Sequence, residues 1–267
     1  MGDSLFALLL TLFVGLATGV GGAAALFIKK NNLGFLSLAL SFSAGVLIYL
    51  SFVEIFNRAN ESLAVVHGDE KGFLFTTIAF FSGIALIALI DKFTPHAGHK
   101  THSDNADGDQ GNHDNKKELK RTGLMSALAV AIHNFPEGLV TFMGAVYDPA
   151  LGVGIAIAVG IHNIPLGIAI SVPLYYSTGS KAKAILLATA SGLTWPLGAL
   201  VAYFLFYNGI DEGVFGFIFA AVGGIMVFVS LHELLPSAHK YGKHHQIMKG
   251  LFAGMIVMAF SLIFFGG

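Results

Sequence analysis

Long apolar runs separated by short polar segments dominate the pattern of this chain. A bilayer core about 30 Å thick needs about 20 apolar residues per helix. Eight stretches qualify, at about residues 4–28, 34–56, 72–91, 123–146, 150–176, 184–207, 214–238 and 247–265. A count of seven would mean demoting 72–91, yet no charged residue lies between Gly72 and Asp91. The pattern therefore predicts an all-α membrane protein of eight transmembrane helices, with a single transmembrane domain over 1–267.

Composition agrees with that class. The chain is 55% hydrophobic and 12% charged, far from the roughly half apolar and quarter charged of soluble domains. The first apolar run starts after Asp3 without a basic segment and is too long for a cleaved signal peptide, so it reads as a mature helix. Nucleic-acid binding finds no support in a net charge of −1. With no cysteine, any metal must be held by nitrogen and oxygen.

Charge position orients the bundle. Of the 15 Lys and Arg residues, 13 fall in one set of alternate loops and only Arg58 and Lys71 in the other. Cytoplasmic loops are the Lys/Arg-rich ones, so both termini are expected outside the cytoplasm in a multi-pass cell-membrane protein. One long polar connection, 93–121, carries His96, His99, His102 and His113 among Asp104, Asp107, Asp109 and Asp114. Its composition reads as a disordered cytoplasmic loop; its histidines could sample metal, although a solvated linker accounts for them equally.

Ionisable residues at membrane depth mark pathways or ligand sites by default, and here they cluster. Helix 4 carries His133-Asn134-Phe135-Pro136-Glu137-Gly138, and helix 5 carries His162-Asn163-Ile164-Pro165-Leu166-Gly167. These are copies of one motif, 29 residues apart, on helices that run in opposite directions. His133 and Glu137, at i and i+4, share a helix face and can chelate. Pro136 and Pro165 lack an N–H, so each strands the carbonyl four residues back, at Ile132 and Ile161, and should bend its helix beside the imidazole. Irregular backbone at that depth is tolerated only where it is buried or lines a cavity. Broken antiparallel helices with ligands near the midplane are the pattern of inverted-repeat transporters. A metal site of His133, Glu137 and His162, with Asn134 and Asn163 beside it, accounts for these features. Interhelical glue worth about 0.6–2 kcal/mol would not require the carboxylate.

The paired motifs resemble the helix-4 and helix-5 signatures of the ZIP (Zrt/Irt-like) metal transporters, especially their bacterial zinc-uptake branch. The resemblance spans the chain and includes Ser51-Phe52-Val53-Glu54 in helix 2 and His232-Glu233-Leu234-Leu235-Pro236 in helix 7. It implies a ZIP-like bundle with inverted-repeat character, in which a group of helices moves relative to a scaffold. It also implies uptake of Zn²⁺, and often of Fe²⁺, Mn²⁺ or Cd²⁺, as substrate, with no cofactor. Glu54 would stand near an entrance, and His232, Glu233 and His239 near an exit. Glu54 could equally be an interfacial end-charge, and the helix-7 residues could instead snorkel to water. Being adjacent, His232 and Glu233 diverge by about 100° and do not chelate one ion by themselves.

Two departures bear on stoichiometry. Members with a two-metal centre usually carry a carboxylate where this chain has Leu166, and another on helix 6. Here 183–208 holds no Asp, Glu or His, and its conspicuous feature is Thr194-Trp195-Pro196. One tight ion is expected rather than a pair. A metal-dependent intramembrane hydrolase is the competing class, because His and Glu could also activate water. Its His-Glu-x-x-His signature is absent, since Pro236 stands where the second His would be. A receptor-like or structural membrane protein would not need intramembrane histidines at all. A divalent ion and the lipid bilayer are the expected partners; the sequence leaves open whether a homodimer forms.

Overall fold

The computed structural model describes residues 2–27, 33–93, 108–206 and 211–265, and within them the backbone is helical with no strand. Eight rods follow in order. α1 is Gly2–Ala24 with a 3₁₀ turn Ala25–Phe27. α2 spans 33–67 as Leu33–Leu50, a π-helical turn Ser51–Ile55 and Phe56–His67. α3 is Asp69–Phe93, α4 Gly108–Tyr147 and α5 Pro149–Thr178. α6 is split into Lys181–Gly192 and Thr194–Leu205. α7 spans 212–241 as Glu212–Val229, a π-helical turn Ser230–Leu234 and Leu235–Tyr241. α8 is His244–Phe265. Seven rods are long and apolar enough to cross a membrane taken alone. The eighth is α4, whose mid-helix His133, Asn134, Pro136 and Glu137 dilute an otherwise apolar 123–147.

One expectation is corrected. Residues 108–121, read as disordered linker, form the first turns of α4. Lys116, Lys117, Glu118, Leu119, Lys120 and Arg121 are good helix formers, and extending an existing helix needs no new nucleus. His96, His99 and His102 lie outside the described residues. α6 is one span, Lys181–Leu205, with a single turn residue at Leu193 (φ −68°, ψ −6°) ahead of Thr194-Trp195-Pro196. The helices run on through Pro136 and Pro165, and each ring leaves the carbonyl four residues back without its helical donor. Ser43 Oγ on α2 donates to the His162 carbonyl at 3.0 Å, one residue along from the carbonyl that Pro165 strands.

The rods pack in two groups, α1, α4, α5 and α6 against one another, and α2, α3, α7 and α8 likewise. Reciprocal glycines set the closest crossings. A Cβ on Gly21 or Gly167 would overlap the backbone of the other helix in the α1–α5 pair, and Gly138 and Gly198 play the same part between α4 and α6. Gly45 and Gly254 join α2 to α8, and Gly83 and Gly224 join α3 to α7. Without a hydrophobic force between helices in lipid, such close approach is what makes van der Waals attraction count. The π-turns are a second internal echo, Ser51-Phe52-Val53-Glu54-Ile55 in α2 and Ser230-Leu231-His232-Glu233-Leu234 in α7. The two groups meet where α2 and α8 touch α5 and where α4 touches α7. The polar centre lies at that seam.

Candidate metal site

His133, Asn134 and Glu137 from α4 and His162 and Asn163 from α5 are all buried, none more than 3% exposed. Each asparagine is tethered by its amide nitrogen. Asn134 Nδ2 donates to the Ser191 carbonyl on α6 and Asn163 Nδ2 to the Val14 carbonyl on α1, both at 3.3 Å. A carbonyl can only accept, so this fixes which end of each amide is nitrogen and turns both Oδ1 atoms away from those backbones. Thr141 Oγ1 donates to the Glu137 backbone carbonyl at 2.9 Å and not to its carboxylate.

Eight buried side-chain atoms of these five residues are left without a hydrogen-bond partner: both ring nitrogens of His133 and of His162, both carboxylate oxygens of Glu137, and Oδ1 of Asn134 and of Asn163. The Ala129 carbonyl lies near the His133 ring without hydrogen-bond geometry. Each unsatisfied buried group costs about 1–3 kcal/mol, and native interiors hold few of them. Their concentration at one seam marks a place built for a guest. Two imidazoles, a carboxylate and amide oxygens make a zinc-type donor set. Among the described residues no three His, Asp or Glu side chains are gathered tightly enough to hold an ion as they stand, so closing on one requires side-chain rotation. Leu166, the counterpart of Glu137 in the second motif, is packed in the core at 1% exposure.

The residues expected along the route separate by depth. Glu233 reaches the centre, its Oε2 4.0 Å from His133 Nδ1. His232, its neighbour on the π-turn, turns elsewhere: Nε2 lies 3.0 Å from Asp91 Oδ2 on α3. That divergence matches the angle between adjacent helical residues. His239 is exposed, its Nδ1 2.8 Å from the Leu235 carbonyl, and the structure does not bring it to the centre. Glu54 accepts a hydrogen bond from Arg58 Nε at 2.9 Å and is held by that ion pair. Asp91 went unmarked in the sequence, because a single Asp followed by Lys92 at a helix end looks like any interfacial charge.

An all-helical membrane bundle with unpartnered imidazole, carboxylate and amide atoms at the contact between two helix groups has the donor chemistry of a divalent-metal transporter. The ZIP Zinc transporter family matches residues 91–262, and the chain belongs to that family. It is 50% identical to the zinc transporter ZupT of Clostridium perfringens, over 99% of this chain and 98% of that one. It is 52% identical to ZupT of Chlorobium chlorochromatii, over 98% of each chain. The hydrolase alternative finds no support.

Proposed function

We propose that the chain carries Zn²⁺ into the cytoplasm by alternating access, through a site formed by His133, Glu137 and His162 and supplemented by the amide oxygens of Asn134 and Asn163. The observation that carries this reading is the set of eight unpartnered polar atoms at the seam between the two helix groups. A site at such a seam can face either side when one group moves against the other; α1, α4, α5 and α6, which supply the ligands, form the moving group. Glu233, 4.0 Å from His133, takes the ion next and passes it to His232 and Asp91, with His239 beyond them. On the other side, an arriving cation competes with Arg58 for Glu54. Imidazole and carboxylate also accept Fe²⁺, Mn²⁺ and Cd²⁺, with geometry and availability deciding among them. Lipid surrounds the bundle, and a homodimer is compatible with this scheme.

Purified protein in sealed vesicles is expected to give saturable, time-dependent Zn²⁺ accumulation; vesicles that fill no faster than protein-free ones would end the transporter reading. Orientation has its own check. A reporter placed in 94–107 is expected to be cytoplasmic and both termini external, from the 13-to-2 charge asymmetry. Labelling of that loop from outside intact cells would reverse the topology.

A further inference from the structure

The two helix groups touch again at the outer end of the bundle, where the scheme above assigns no residue on the moving side. Tyr147 closes α4, and Asp148 turns the chain into α5 at Pro149. Tyr147 Oη donates to Glu212 Oε1 on α7 at 3.3 Å. Its ring stacks on Phe215, with centroids 4.8 Å apart and planes at 22°. Phe215 in turn stacks on Phe219, one turn further in, at 4.0 Å and 27°. Tyr147 is half exposed while Phe215 and Phe219 are buried, so the three rings form a ladder from the rim inward. Asp148 Oδ1 accepts from the Ala150 N–H at 2.9 Å, and its carboxylate acts on the Arg58 guanidinium of α2. Arg58 is held at the same time by Glu54 at 2.9 Å and by Glu61 at 3.8 Å.

Each half of this contact is tied to its own group. A Cβ on Gly152 would overlap Ala145, so the turn travels with α4 and α5 together; a Cβ on Gly216 would lie 2.6 Å from Leu63 Cγ, so Phe215 is carried by the α7–α2 pair. The Tyr147 contacts therefore join two bodies that have to move against each other before the site can change sides. Burial along α4 shows which side is closed. Residues 140–145, outward of Glu137, are all buried, whereas of residues 124–132, inward of His133, only Ala127 and Val130 are. Glu233, beside His133, is 27% exposed. The outer approach is thus packed while the inner one is open. We propose that the α4–α5 turn is the outer latch of the transport cycle: Tyr147, hydrogen-bonded to Glu212 and stacked on Phe215, holds the moving group in the inward-facing position and releases it each time the site turns outward. A stacked pair and one hydrogen bond at a rim are individually modest. That strength suits a contact broken in every cycle, since it biases a two-state population without trapping it.

This inference rests on the alternating-access reading, and the test separates the two. The full-length double variant Tyr147→Cys/Phe215→Cys, in a chain otherwise without cysteine, is placed in sealed vesicles and bridged with a short bis-methanethiosulfonate that a reductant removes. Zn²⁺ uptake is expected to fall at least about tenfold on bridging, because the tether removes the outward state from the equilibrium, and to return on reduction. Each single variant treated alike is expected to keep its rate. In detergent the bridged protein is expected still to bind Zn²⁺ by calorimetry, which separates a locked carrier from a damaged one. A second arm does not depend on the pair folding. Met143→Cys, at a buried position on the outer half of α4, is labelled from outside with a membrane-impermeant maleimide. Adding Tyr147→Ala is expected to speed that labelling about three- to tenfold, the population shift that loss of one stacked pair and one hydrogen bond allows, with Tyr147→Phe, which keeps the stack, in between. Uptake unmoved by bridging, a folded pair that does not bridge, bridged protein that no longer binds Zn²⁺, or labelling indifferent to Tyr147→Ala overturns the latch while leaving wild-type transport intact. Wild-type vesicles that take up no Zn²⁺ overturn the transport reading, and the latch with it.

Discussion

His133→Ala is expected to lose high-affinity Zn²⁺ binding and transport while the protein stays folded in detergent. The loss should be at least on the order of 100-fold, since even the outer partners of metal ligands are worth 10–100-fold and His133 is placed in direct contact with the ion. Folding should survive because the ring makes no hydrogen bond that the bundle depends on, while the crossings that hold α4 lie at Gly138 and at Gly198 of its partner helix. Removing a buried side chain leaves a cavity, so some loss of melting temperature is expected. Calorimetry and vesicle uptake on the same preparation check both halves. Uptake at the wild-type rate would sink the assignment of His133 as a ligand, and with it the reading of Glu137 and His162 as its companions.

The second large effect concerns the number of ions. Two divalent cations about 4 Å apart repel by about 17 kcal/mol at an effective dielectric of about 20, and two-metal sites offset this with several carboxylates. In this chain α4 supplies Glu137 alone, the matching position on α5 is the buried Leu166, and α6 carries no Asp, Glu or His over 183–208. Amide oxygens by themselves hold transition metals weakly. Elemental analysis after Zn²⁺ soaking and desalting is therefore expected to give one ion per chain, and Leu166→Glu is expected to raise that toward two. Two fully occupied ions in the unmutated protein would refute the expectation, and would make either Glu233, 4.0 Å from His133, a ligand of the resting site or Asn134 or Asn163 a far better ligand than an amide should be.

Much of this was legible in one dimension. The cost of exposing peptide groups to hydrocarbon leaves apolar segments of this length no choice but helix, so the eight rods follow from run length, with ends displaced by several residues. The burial of the polar centre was legible too, because a carboxylate and two histidines at membrane depth are too expensive to be incidental, and the i, i+4 spacing of His133 and Glu137 acts within a single helix. The prolines were legible in part: neither can donate to the carbonyl four residues back, and what the bundle adds is a hydrogen bond from Ser43 to the neighbouring carbonyl of His162.

Everything that depends on how one helix is rotated against another had to come from the tertiary structure. Glu233 and His232 are adjacent in sequence, yet one lies 4.0 Å from His133 and the other 3.0 Å from Asp91. Run length and periodicity say nothing of which helix lies on which side. Trp195 read only as part of a conspicuous Thr-Trp-Pro run until the glycine crossing set its backbone against Gly138 of α4. The physical reason is the same throughout: transfer free energy acts on each segment by itself and so is written along the chain. Helix rotation and depth are settled by short-range contacts between backbones, which exist only once the helices have met.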